Sequence, residues 1–212
     1  VFLTAGVRRT ATDDRRRNGF TGLMTFDNHA DSTTWSAGLV WHLNAARSVT
    51  LYANANSSFV PVFTRQPDGT PLDPERGNQQ EVGLRFSLAR DRVQGLVSVY
   101  DIRQQNLAVD DPNRDGDWYT QIDGIRSRGA ELSLNARLTE ALRPYYSFSS
   151  TYNIPLVNAN DPLGNAPRTS SGTGHEAGLK FTTRDQRFSG SLQAFRTNSK
   201  DEMINAGGGV RD

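Results

Sequence analysis

Apolar and polar residues alternate along most of this sequence with a period of two. In residues 35–43, Trp35, Leu39 and Trp41 fall on one face of an extended chain, whereas Ser36 and His42 fall on the other. The same alternation recurs at residues 48–56, 81–88, 130–138 and 176–181. Successive side chains of a β-strand point to opposite faces, whereas a helix would spread these residues around its axis. The pattern therefore predicts an all-β protein.

The spacing of the strands predicts an antiparallel up-and-down arrangement. We predict about nine strands, the first over residues 1–9 and the longest over residues 119–138. Residues 93–107, 143–153 and 187–200 are also strand-like, but alternation alone does not assign their apolar faces. Short links at 44–47, 89–92, 139–142 and 184–186 alternate with long links at 10–33, 60–77, 110–118 and 155–173. Such a meander places all tight turns on one rim and all long loops on the other.

Composition excludes several classes of protein. The 212 residues include no cysteine, which excludes a disulfide framework and a thiolate metal site. No apolar run approaches the roughly 18 residues of a membrane helix. A net charge of +1 argues against a nucleic-acid partner. Only 35% of the residues are hydrophobic, a fraction that fits a soluble protein or a membrane barrel in which every second strand residue meets lipid.

Two features favour the membrane barrel over a soluble sheet. The strand at residues 130–138 carries Glu131, Ser133 and Asn135 in succession on one face, as a water-filled lumen would require. Trp35 and Trp41 share the apolar face six residues apart, which is about 20 Å along a strand and close to the distance between the aromatic girdles of an outer-membrane barrel. We therefore expect the apolar face to meet lipid.

The sequence also contains an internal repeat. Residues 81–86 (EVGLRF) align without a gap with residues 176–181 (EAGLKF), and the two segments are 95 positions apart. The correspondence continues through the pairs Arg92/Arg187 and Gly95/Gly190. The repeat predicts that one hairpin design is used twice in a repetitive meander. Two unrelated hairpins that converged on similar spacing would give the same alignment.

Four segments resemble TonB-dependent siderophore receptors, in the order found in that family. Residues 48–61 (SVTLYANANSSFVP) are similar to the strand "slYanyseSF.P", and residues 69–86 (GTPLDPERGNQQEVGLRF) to the loop and strand "g.pLdPEkg.qyEvGlk". Residues 99–106 (VYDIRQQN) resemble the next strand, and residues 124–134 (GIRSRGAELSL) resemble "g..rsrGvElel". The resemblance covers about half of the chain.

The resemblance implies a family-typical outer-membrane barrel of 22 strands whose lumen is filled by an N-terminal plug. It also implies a non-enzymatic receptor that binds a scarce ligand, usually a ferric siderophore, and imports it with energy delivered by TonB. Because nine strands do not close such a barrel, we expect residues 1–212 to be a partial β-barrel domain without the plug and the barrel termini. Localisation in the bacterial outer membrane follows, and no cofactor is implied.

Candidate site residues fall into three groups. Arg15, Arg16 and Arg17, together with Arg8 and Arg9, lie in a predicted outer loop, where they would attract an anionic siderophore or lipopolysaccharide phosphates.

Tyr52 and Arg85 lie on the predicted luminal face, where they are candidate contacts for the ligand or the plug. Asp111, Asn113 and Asp115 fit the first half of a calcium loop, but Ile122 stands where such a loop requires a glutamate. The three histidines are scattered, and no catalytic motif is present in the sequence.

Two alternatives remain open from the residues themselves. A passive porin-like channel would share the barrel but lack the plug and the coupling to TonB. A soluble β-rich domain for adhesion or carbohydrate binding would share the alternation but bury its apolar face.

Overall fold

A computed structural model describes most of the chain: residues 1–64, 66, 68–110, 119–122, 124–153, 170–183 and 185–201. Its strands, in chain order, are β1 (Phe2–Arg17), β2 (Met24–His42), β3 (Val49–Val60), β4 (Glu75–Leu88), β5 (Val93–Gln105), β6 (Leu107–Asp110), β7 (Tyr119–Ile122), β8 (Ile125–Ala136), β9 (Leu142–Asn153), β10 (Ser170–Thr182) and β11 (Ser189–Lys200). Within the described residues all regular structure is β, which confirms the predicted fold class.

Nine strands of the described chain form one antiparallel sheet in the order β1-β2-β3-β4-β5-β8-β9-β10-β11. The short strands β6 and β7 pair with each other as a separate hairpin between β5 and β8. Every neighbouring pair in the large sheet is thus consecutive along the chain once this insertion is set aside. The prediction of an up-and-down meander of about nine strands is confirmed, and the sheet is open, with β1 and β11 at its edges.

The tight turns that follow β2, β4, β8 and β10 lie on one rim of the sheet, as predicted, and we call it the turn rim. The turn between β4 and β5 places Ala89, Arg90 and Asp91 in the left-handed region, at φ values of 54°, 58° and 64°. In the turn between β2 and β3, the Asn44 side-chain oxygen accepts the backbone N–H of Ser48 at 2.9 Å. The opposite rim, which we call the loop rim, carries the β6–β7 hairpin. It also carries the connection between β1 and β2, which is a short turn at residues 18–23 and not the long link that was predicted.

Two predicted boundaries were wrong. Residues 10–33, predicted as a long loop, form the extended ends of β1 and β2, which stay paired as far as Arg17 and Met24. This hairpin extension has few apolar residues, so period-two patterning did not mark it. The predicted long strand over residues 119–138 is interrupted before β8 by Gly124, whose φ of 131° favours glycine.

The two faces of the sheet differ in character, and the apolar one is open. We call the face that carries Trp41, Val97 and Val99 the outward face and the opposite one the luminal face. These three side chains are 47%, 42% and 54% exposed. Among the described residues, Ala30 and Leu72 are the buried hydrophobic residues. A soluble sandwich would bury its apolar face, so the arrangement matches a sheet whose apolar face meets lipid.

Cross-strand register also assigns the faces that alternation left open. In β5, Val97 lies opposite Leu84 and Leu132, which places Val97 and Val99 on the outward face. Leu96 and Tyr100 therefore belong to the luminal face. By the same register, outward residues of β9 and β11 include Tyr146, Phe148, Leu192 and Ala194.

The described residues contain no helix that is long and apolar enough to cross a membrane.

Candidate luminal site

A hydrogen-bonded cluster lies on the luminal face where β3 and β4 pair. The Tyr52 hydroxyl donates to Glu81 Oε1 at 2.5 Å, and the Asn54 side-chain amide donates to Glu81 Oε2 at 3.2 Å. Tyr52 lies opposite Gly83, and Gly83 in turn lies opposite Ser98 on β5. We call Tyr52, Asn54, Glu81 and Gly83 the luminal cluster.

Glycine at position 83 is required by the close approach of the tyrosine ring. A Cβ atom at Gly83 would overlap the ring and hydroxyl atoms of Tyr52. The ring therefore lies flat across the neighbouring strand, and this position brings its hydroxyl to Glu81. The glycine, the tyrosine and the glutamate act together as one packing unit.

The same unit recurs where β9 and β10 pair. Tyr145 lies opposite Gly178, and its hydroxyl donates to Glu176 Oε1 at 2.6 Å. A Cβ atom at Gly178 would overlap the Tyr145 ring. The sequence repeat that places Glu81 and Gly83 over Glu176 and Gly178 is thus accompanied by a structural repeat of the tyrosine–glycine–glutamate unit.

Carboxylates extend the luminal face beyond the cluster. Glu131 on β8 lies opposite Ser98, which is only 2% exposed. Glu81 and Glu131 thus place negative charge on the same wall as the hydroxyls of Tyr52 and Tyr100. Tyr100 hydroxyl lies 2.5 Å from Thr151 Oγ1. This surface offers hydrogen-bond acceptors and hydroxyls to whatever fills the lumen.

Of the residues predicted for this face, Tyr52 lies within the luminal cluster and Arg85 lies beside it. Arg85 is on the same strand and face as Gly83, opposite Thr50 and three residues before the end of β4. Its side chain is exposed and has no ion-pair partner among the residues that the structure describes. Arg85 is therefore nearer the turn rim than the loop rim.

The arginines predicted in an outer loop instead lie on β1, so that placement was wrong. Neighbouring strand residues point to opposite faces, and Arg16 is therefore directed away from Arg15 and Arg17. Arg15 Nε lies 3.5 Å from Asp27 Oδ1, and Arg16 Nη2 lies 2.7 Å from Asp14 Oδ2. The three arginines are at the loop-rim end of the sheet but do not form one patch.

The predicted calcium loop of Asp111, Asn113 and Asp115 lies outside the described residues. Among the described residues, no group of three or more His, Asp or Glu side chains is arranged to hold a metal ion.

The sequence did not mark Glu81 or Asn54 as site residues, whereas alternation placed Glu131 on the polar face without giving it a role. A signal was available for Glu81, because the repeat places a glutamate two residues before a glycine in both copies. No comparable signal pointed to Asn54, and the neighbours of both Asn54 and Glu131 depend on the register between strands.

Fold and faces together define a class of protein. An antiparallel meander with an open apolar face and a polar opposite face is a segment of a transmembrane β-barrel of the outer-membrane type. The chain belongs to the family described as TonB dependent receptor-like, beta-barrel, which matches residues 1–174. The expected family and the bacterial outer-membrane location are thereby confirmed.

Individual relatives show how the chain compares. It is 34% identical to the metal-pseudopaline receptor CntO of Pseudomonas aeruginosa over 100 residues, or 47% of this chain and 14% of that protein. It is 28% identical to the ferrichrome outer membrane transporter/phage receptor of Escherichia coli K12 over 153 residues, or 71% of this chain and 20% of that protein. The chain thus spans a fifth or less of the length of these two relatives.

Solved structures share the fold. The alcaligin outer membrane receptor FauA of Bordetella pertussis superposes with a TM-score of 0.56 at 19% identity, covering 92% of this chain and 36% of that one.

Proposed function

We propose that this chain forms part of a receptor that binds a chelated metal, most simply a ferric siderophore, at the outer surface and imports it with energy delivered by TonB. The observation that carries the proposal is the orientation of the sheet within this family. Its apolar face is open toward lipid and its luminal face carries a hydrogen-bonded polar wall. Relatives named for a metal chelate and for ferrichrome support the same ligand class.

The proposal gives the candidate residues different tasks. Arg15, Arg16 and Arg17 lie at the loop-rim end, the side that faces the exterior in barrels of this type, and there they attract an anionic ligand or the phosphates of lipopolysaccharide. Arg85 lies near the turn rim, too far toward the periplasm to meet an external ligand. Tyr52 and Arg85 are therefore proposed contacts of a plug domain inside the lumen.

Residues 1–212 are proposed to be one part of the barrel domain, with the plug and the remaining strands supplied elsewhere in the protein. The open edges at β1 and β11 support this, because unpaired strand edges are not stable in the hydrocarbon region. The proposal assigns the chain no catalytic step, in keeping with a family of transport receptors.

The test uses the full-length receptor in iron-starved cells supplied with a panel of radiolabelled ferric siderophores. We expect uptake of at least one ligand to stop when TonB is deleted or the proton-motive force is collapsed. A passive porin-like channel would keep its uptake under both treatments, and that result would overturn the proposal.

Variants test the division of tasks between the two rims. Arg85→Gln is expected to lower the uptake rate while leaving surface binding of the ligand unchanged. Arg92→Gln, an exposed arginine in the tight turn after β4, is the matched control and is expected to change neither. An equal loss of surface binding in Arg85→Gln would contradict the plug-side assignment.

A further inference from the structure

A charged cluster lies on the outward face where β5 and β8 pair, on the side of the sheet opposite to the luminal cluster. Asp101 accepts hydrogen bonds from Arg126 Nε at 3.0 Å to Oδ1, from Arg126 Nη2 to Oδ2, and from Arg128 Nε at 2.9 Å to Oδ2. Arg103 Nε lies 3.5 Å from Asp101 Oδ1. One carboxylate therefore faces three guanidinium groups. We call these four residues the outward arginine cluster.

The cluster carries surplus positive charge in an accessible position. Its three arginines and one aspartate sum to +2, and the side chains of Arg103 and Arg128 are 57% and 56% exposed. Asp101 engages Arg128 through Nε, and the terminal nitrogens of that side chain have no bond to other described residues. A guanidinium held this way keeps its outer N–H groups free to bind a phosphate oxygen pair.

Its depth along the barrel follows from the residues on the same face. Asp101 comes two residues after Val99, and Arg128 two residues before Ala130, so the cluster begins where the apolar part of the outward face ends. A depression of about 260 Å³ is lined on its apolar side by Val82 and Val99 and on its charged side by Asp101 and Arg128. Apolar and cationic surfaces thus meet in one concavity.

An adjoining depression fixes the level more closely. Its volume is about 250 Å³, and it is lined by Trp35 together with Asp101 and Arg103. Tryptophan is enriched at the interface between membrane and water. Because the cluster lies toward the loop rim of the sheet, this interface is the outer one.

We propose that the outward arginine cluster binds the phosphorylated headgroup of an acylated glycolipid in the outer leaflet, with an acyl chain lying on Val82 and Val99. Asp101 holds Arg126 and Arg128 in position, and the exposed guanidinium groups pair with the phosphate. The adjoining valine surface selects an amphiphile over a free anion. This site does not depend on the transported ligand or on TonB.

The test measures lipid binding by the full-length receptor after its purified form has been stripped of glycolipid in mild detergent. The probes are bisphosphorylated lipid A, the same lipid after enzymatic dephosphorylation, and inorganic phosphate. We expect lipid A to bind, the dephosphorylated lipid to bind at least tenfold more weakly, and inorganic phosphate to show no saturable binding at the same concentrations. Equal binding of the first two probes, or saturable binding of inorganic phosphate with equal affinity, would overturn the proposal.

Variants locate the site on these residues. The double variant Arg103→Gln/Arg128→Gln is expected to weaken lipid A binding at least tenfold, whereas the control Arg92→Gln at the opposite rim is expected to bind like the wild type. Heat-modifiable gel mobility verifies that each variant is folded. If the folded double variant binds lipid A as tightly as the wild type, the cluster is not the site.

Asp101→Asn provides a readout of opposite sign. Removing the carboxylate raises the local charge to +3 and frees further N–H groups, so lipid A is expected to bind several-fold more tightly even though the cluster itself is less well ordered. A cluster that merely holds β5 to β8 would instead lose stability with no gain in lipid binding, and that outcome counts against the proposal.

Discussion

Replacing Gly83 by alanine tests whether the tyrosine–glycine–glutamate unit stabilises the sheet. A Cβ atom at this position would overlap three atoms of the Tyr52 side chain, Cε1, Cζ and the hydroxyl oxygen. The ring must therefore leave the surface of β4, and the 2.5 Å hydrogen bond from its hydroxyl to Glu81 must break. We expect Gly83→Ala to destabilise the folded barrel.

The magnitude has two parts. Overpacking of this kind costs about 1–3 kcal/mol. A hydrogen bond to a charged group contributes roughly 1.5–3 kcal/mol when buried, but Tyr52 is only half-buried and the luminal face is polar, so about 1 kcal/mol is the more suitable figure. The expected loss in the free energy of unfolding is therefore about 2–4 kcal/mol, and Tyr52→Phe alone should cost about 1 kcal/mol.

The matched control is Gly172→Ala, in β10 on the same luminal face. A Cβ atom there would meet only Asn198 O, at 3.9 Å, which is an ordinary contact. Because alanine restricts the unfolded chain more than glycine does, this variant should be neutral or slightly stabilising. Guanidinium unfolding of the reconstituted full-length receptor, followed by far-UV circular dichroism and gel mobility, measures all three variants. Equal stability of Gly83→Ala and Gly172→Ala would refute the reasoning.

Three further outcomes are expected from the same structure. Leu132→Arg, in the middle of the outward face of β8, should destabilise the reconstituted barrel by about 2–4 kcal/mol. Ser133→Arg, on the luminal face of the same strand, should cost much less. Similar losses of stability for the two variants in denaturant unfolding would contradict the assignment of faces. The Asp185 carboxylate accepts a hydrogen bond from the Thr183 hydroxyl at 2.5 Å, which lowers the pKa of Asp185 below its ordinary value. The resulting stabilisation should be present above about pH 4 and lost as the pH falls through the lowered pKa, and Asp185→Asn should remove this dependence in thermal unfolding measured from pH 2 to 7; an unchanged profile in the variant would speak against it. Gly124→Ala should lower the yield of heat-modifiable, folded receptor, because Gly124 has a φ of 131° and an added Cβ would overlap a backbone carbonyl of β5; a wild-type yield would show that the backbone adjusts.

Local patterning predicted the fold well because a barrel strand is decided largely by its own residues. Alternation identified strands such as β4 and β10, where apolar residues meet lipid and polar residues meet the lumen. It failed over residues 10–33, where both faces of the β1–β2 hairpin are polar and the strands are held by pairing across the hairpin, including Arg15 with Asp27. Alternation also did not predict the break before β8. A glycine inside a strand pattern is common, and only the backbone angle of Gly124 reveals the interruption.

The candidate site was predicted in part. Alternation alone predicted that Tyr52 and Arg85 lie on the luminal face, and both residues lie on that face in the structure. Their partners could not be read in the same way, because Glu81 is 29 positions from Tyr52 in the sequence.

The sequence by itself determined the strands, the apolar face of the clearly alternating ones and the family, since each depends on local order of residue types or on short motifs. Only the tertiary structure decided the register between strands. Register brings Tyr52 across Gly83 to Glu81, and it brings Arg126 and Arg128 to Asp101. A shift of one residue in a strand would exchange its luminal and outward side chains. The polar wall of the lumen and the arginine cluster at the outer interface both exist because partners far apart in the chain are aligned by backbone pairing across the whole sheet.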